Sequence, residues 1–99
     1  ADYNKSIQIN PKYGTPYLGR AIIWTEQKKW DIALDDYNKI IAIQPKFAGA
    51  YYFRGVVYLQ KKDKQKAIEN FQQAAKLFKA QGDTKNHQLM IDALKEIQK

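Results

Sequence analysis

One histidine, ten carboxylates and seventeen basic side chains are the groups in this chain that could do chemistry. His87 is the single histidine, and there is no cysteine. A zinc or copper centre needs several imidazole, thiolate or carboxylate ligands, so no metal site is expected. Nor can one ring supply more than the start of a Ser-His-Asp or Cys-His set. Asp35 and Asp36 are neighbours on what reads as one helix, where adjacent side chains diverge, and they make no general acid–base pair. No strand pattern precedes a Gly-rich phosphate loop. These exclusions leave no catalytic residues, no cofactor and no metal to assign, and the chain reads as a non-enzyme.

Lys61, Lys62, Lys64 and Lys66 gather at a turn between two helical patterns. Such a cluster can meet phosphates or an acidic partner. It can equally be a solvated turn near a helix end, where cations are mildly favoured. The second reading is preferred, because aromatics do not interleave with these lysines as they do in single-strand binders. The net charge of +7 raises nucleic acid or an anionic membrane as an alternative partner. That charge is spread along the sequence, and nucleic acid is disfavoured.

The elements that would carry these groups are set by a duplication. Residues 2–13 read DYNKSIQINPKY and residues 36–47 read DYNKIIAIQPKF, with eight identical positions. Pro11 and Pro45 fix the offset between the two copies. The same offset continues by residue class: Tyr17 and Tyr51, Arg20 and Arg54, Ala21 and Gly55, Trp24 and Tyr58, Ala33 and Ala67, Tyr37 and Phe71. A period of this size implies stacked supersecondary units. Apolar residues recur at helical spacing over 14–28 and again over 30–43. Pro45 ends a helix by pushing its predecessor out of the helical region, and Pro16 suits the first turn of the next one. Lys79 stands where a third closing proline would be, so the helix there should run on. Gly82 and Asp83 mark a stop and a fresh start. Met90, Ala93, Leu94 and Ile97 form one stripe of a final amphipathic helix.

The placements Tyr17-x2-Arg20-Ala21-x2-Trp24, Ala33-x3-Tyr37 and Pro45, with their counterparts Tyr51-x2-Arg54-Gly55-x2-Tyr58 and Ala67-x3-Phe71, resemble the tetratricopeptide repeat. Arginine at the family's usual leucine position departs from the pattern in both units. The segment AAKLFKAQGDT is similar in style to bacterial, and especially cyanobacterial, members. The resemblance implies an all-α fold, a right-handed α-α superhelix of antiparallel helical hairpins with a C-terminal capping helix. Its units would be residues 1–13 (the second-helix remnant of a preceding repeat), 14–47, 48–81 and a cap at 82–99, about six helices in all.

The family's groove positions map onto Leu18, Ile22, Thr25 and Glu26 in one repeat and onto Tyr52, Phe53, Val56, Leu59 and Gln60 in the next. The resemblance implies that these residues line a concave partner-binding wall for a protein or peptide segment. Its apolar members would form one exposed patch, and such patches mark interaction sites. The Lys and Asn or Arg clamp by which some members grip a peptide carboxylate is absent, so apolar recognition is expected instead. Self-association is the rival: an incomplete N-terminal repeat would leave apolar surface around Tyr3 and Ile7 for a second copy. No apolar run approaches the ~20 residues of a membrane span. The lack of cysteine fits an intracellular, cytoplasmic setting.

Overall fold

The computed structural model describes residues 16–99, with side chains from Leu18 onward. Five helices follow one another: α1 (Pro16–Glu26), α2 (Trp30–Ile43), α3 (Ala48–Gln60), α4 (Lys64–Ala80) and α5 (Thr84–Ile97). There is no strand among the described residues. Short connections force each helix to run back along its predecessor. Each helix packs on the next in sequence, and α1 also meets α3. The remnant expected at residues 1–13, and with it the sixth helix, lies outside the described residues.

The small residues sit where the helices come closest. Ala21, Ala33 and Ala67 are fully buried. A Cβ on Gly55 would stand 3.2 Å from the Asn70 Cβ and from the Phe71 ring, which is how tightly α3 and α4 approach. Around these contacts lie Tyr37, Ile40, Phe53, Val57, Phe71 and Phe78, all buried. The Tyr37 and Phe53 rings stack across the boundary between hairpins, 6.0 Å apart and 9° from parallel. Burial of such rings supplies most of the drive to stack one hairpin on the next.

The duplication reappears as geometry. α2 and α4 begin one repeat apart, at Trp30 and Lys64. α2 stops at Ile43, before Pro45, whereas α4 runs on past Leu77, the counterpart of Ile43, to Ala80. Loss of the proline at 79 lets it continue, because nothing there forbids the helical region. On α5 the repeat's aromatic and small positions are held by Lys85, Leu89 and Asp92, of which Lys85 and Asp92 are exposed and Leu89 packs partly buried against the core.

Three turns close in the same way. Lys28, Lys62 and Gly82 adopt left-handed backbone, with φ of 62°, 65° and 75°. In each, the next residue's N–H reaches back to a carbonyl of the helix just ended: Lys29 to Trp24 at 2.9 Å, Asp63 to Tyr58 at 2.8 Å and Asp83 to Phe78 at 2.9 Å. This is the bond that closes a helix at a left-handed residue. Glycine takes this conformation freely, whereas a residue with a Cβ is strained. Lys62→Gly is therefore expected to stabilise the fold by about 0.5–1 kcal/mol, and Gly82→Lys to destabilise it by a similar amount. Urea unfolding of the two variants checks the opposite signs.

Asp63 and Asp83 also cap the helices that follow them, their carboxylates accepting a backbone N–H at 3.2 and 3.1 Å respectively. Such caps satisfy an N–H that the helix itself leaves unpaired. Lys29, the counterpart of Asp63, offers no such side-chain bond at the start of α2.

Candidate functional site

The nine residues expected to line a groove do not share one exposed wall. Leu18, Thr25, Tyr52, Phe53 and Val56 are buried in the core. Phe53 has no exposed surface: it stacks on Tyr37 and takes the edge of Tyr52, whose own ring is 5.7 Å from Phe71. The expectation of a continuous apolar patch through these side chains is therefore corrected. Their bulk points into the seams between helices, where the stacking of hairpins needs it. Ile22 is half-buried, while Glu26, Leu59 and Gln60 are exposed.

The two repeats differ at the end of this row. Thr25 is 3% exposed, and Leu59, its counterpart on α3, is 39% exposed. The Thr25 hydroxyl donates to the Ala21 carbonyl at 2.8 Å and meets the Tyr37 hydroxyl at 3.1 Å. Because the threonine proton is spent on the carbonyl, the tyrosine donates to the threonine oxygen. The second repeat replaces the pair by Leu59 and Phe71, which have no hydroxyl to satisfy. The polar member of the pair is thus inside, and the apolar one reaches water.

The unusual arginines are tied down. Arg20 Nε and Nη2 donate to the two oxygens of Asp36 at 2.9 and 2.8 Å. Asp36 is buried, whereas Asp35 beside it is exposed and pairs with Lys39 at 3.1 Å. Arg54 repeats the pattern with neutral partners: Nε donates to Asn70 Oδ1 at 2.7 Å and Nη1 to Asn38 Oδ1 at 2.9 Å. Arg54 thereby joins the second hairpin to α2 of the first. The two neighbouring carboxylates are thus split between a half-buried ion pair and a surface one. Among the described residues, no group of three or more His, Cys, Asp or Glu stands close enough to hold a metal ion. No described helix is long and apolar enough to cross a membrane.

Residues 48–80, which span α3 and α4, match the tetratricopeptide repeat family model. The fold is that of a tetratricopeptide-repeat domain. A solution structure of a tetratricopeptide repeat domain protein from Salinibacter ruber superposes with a TM-score of 0.77 at 21% identity, covering 90% of each chain. A crystal structure of a tetratricopeptide repeat domain protein from the same bacterium gives 0.72 at 20% identity, covering 91% of this chain and 97% of that one. No curated protein matches the sequence. At this identity the solved tetratricopeptide-repeat structures speak for the backbone arrangement alone. Arg20 with Asp36, and Arg54 with Asn70 and Asn38, are features that this chain's own geometry reveals.

Proposed function

We propose that this tetratricopeptide-repeat domain is a non-enzymatic scaffold for protein–protein interaction, working in an intracellular, cytoplasmic setting. It binds an extended or helical protein segment along the concave side of α1 and α3, through Ile22, Glu26, Leu59 and Gln60. The units would divide at 14–47, 48–81 and 82–99. Leu59 is the observation that carries this reading. An aliphatic side chain stands in water at a position where the neighbouring repeat tucks a threonine away, the reverse of what burial alone would select. Gln60, next to it in sequence, and Glu26, the counterpart of Gln60 on α1, are exposed polar residues of the kind that rim interaction patches.

The test is selection of binding peptides from a displayed random library on the immobilised domain. Leu59→Glu is expected to keep the melting temperature within a few degrees, since the side chain is partly in water, and to weaken selected peptides by about tenfold or more. Unchanged affinity in a folded Leu59→Glu protein would remove the groove reading.

A second reading, self-association, is favoured by Ile23. It is 53% exposed on α1, whereas its counterpart Val57 on α3 has no exposed surface. Light scattering over a concentration series should show a dimer that Ile23→Glu abolishes. A monomer throughout would reject this reading.

A further inference from the structure

Two lysine pairs that are far apart in sequence meet at one edge of the molecule. The α1–α2 turn carries Lys28 and Lys29, and the α3–α4 turn carries Lys61 and Lys62, followed by Lys64 and Lys66 on α4. Lys61 reaches across to Asp31 at 3.1 Å and holds the two turns side by side. All six lysines are exposed. Of the acidic groups beside them, Asp31 is in that bridge, Asp63 caps α4, and Glu26 is exposed at the end of α1. Among the described residues, Lys28, Lys62 and Lys64 have no ion pair. The turns at the other end of the hairpins, 44–47 and 81–83, carry one lysine and one aspartate. Charge that is scattered in sequence is thus concentrated at one end of the fold.

Two further observations separate this edge from an ordinary solvated turn. Lys28 and Lys62 both occupy left-handed backbone, where glycine would be more stable, so charge is kept there against a conformational penalty. Between the lysines lies a shallow depression of about 410 Å³, lined by Lys28, Lys29, Trp30, Asp31, Ile32 and Lys61. Ile32 is 47% exposed within it, beside the half-buried Trp30. Its repeat counterpart is Lys66, so an isoleucine is exposed where the other unit has a charge.

We infer that this edge is a docking surface for an anionic lipid bilayer, with the lysines against headgroup phosphates and Ile32 in the headgroup boundary. Exposed lysines attract an anionic leaflet, and apolar or tryptophan side chains among them add short-range contact. Nucleic acid fits less well. The Nζ atoms of Lys29 and Lys66 each lie 5.3 Å from the ring centres of Trp24 and Tyr58 respectively. A lysine therefore occupies one face of each of these two rings, which leaves the half-buried Trp30 in the depression where single-strand binders offer a series of open rings.

The test is co-sedimentation of the 99-residue chain with vesicles of phosphatidylcholine alone and of phosphatidylcholine mixed with phosphatidylglycerol. Binding is expected to the mixed vesicles only and to fall as salt rises. Lys28→Glu/Lys62→Glu should reduce it by at least about tenfold, whereas Lys76→Glu/Lys79→Glu, the same charge change elsewhere on the surface, should reduce it by less than about threefold. Ile32→Ser should weaken the binding that survives at high salt. Circular dichroism verifies that each variant is folded. Equal binding to neutral vesicles, an equal loss in both charge variants, or no sedimentation at low salt overturns the inference. So does tighter binding of single-stranded RNA or polyglutamate than of the vesicles, since the surface then serves another partner.

Discussion

Phe53→Ala is expected to destabilise the domain by about 3–5 kcal/mol, the usual cost of emptying a buried aromatic site. The ring has no contact with water, and it is wedged between Tyr37 of the preceding hairpin and Tyr52 beside it. Its removal therefore strips the seam between two hairpins, not only a local contact. A small helical domain has a total stability of about 5–15 kcal/mol, so this one change consumes a large share of it. Urea unfolding followed by circular dichroism should show a much lower midpoint with a cooperative transition retained at low temperature. If the variant instead keeps its midpoint and loses only a binding partner, Phe53 is a surface residue and the packing described above is wrong. The contrast with Leu59→Glu is the useful one: the two positions lie on the same helix, one inside and one outside.

That contrast also locates what the sequence can and cannot tell. The repeat offset places Ala21, Gly55, Ala33 and Ala67 at close approaches, and all four are buried. Lys79 in place of a proline predicts the longer α4, and Gly82-Asp83 predicts the turn before α5. These features are local or periodic, and a repeat displays them twice. Exposure along α1 and α3 is not legible in the same way. Whether Phe53 faces outward depends on which ring of the preceding hairpin meets it, and Tyr37 belongs to a different helix. The groove reading takes positions on the concave side to be open. In this chain large aromatics at those positions fold back into the seams. The lysine edge is hidden for a related reason, since the two turns come together only when the hairpins stack. The arginine pairs do leave a signal. Arg20 with Asp36 and Arg54 with Asn70 share one spacing, and that spacing recurs with the repeat. Arginine at a position that is usually apolar, twice, calls for a partner one helix away.

Arg20→Leu is accordingly expected to destabilise the domain, although leucine is the residue that the repeat pattern favours there. The Asp36 side chain is 2% exposed and receives both of its charged hydrogen bonds from this guanidinium, which is itself 50% exposed. Replacing the arginine leaves a buried carboxylate without compensation. The expected loss is about 3 kcal/mol, at the low end for breaking a buried pair because half of the arginine already lies in water. Asp36→Asn alone should cost less than about 1 kcal/mol, since one arginine bond can survive as it does from Arg54 to Asn70. The decisive comparison is Arg20→Leu/Asp36→Asn. A neutral amide is far cheaper to leave buried than a carboxylate, so the double variant should recover at least half of the Arg20→Leu loss. Additive losses would mean that the two side chains act separately. Recovery would show that the arginine is held at this position by the charge beneath it.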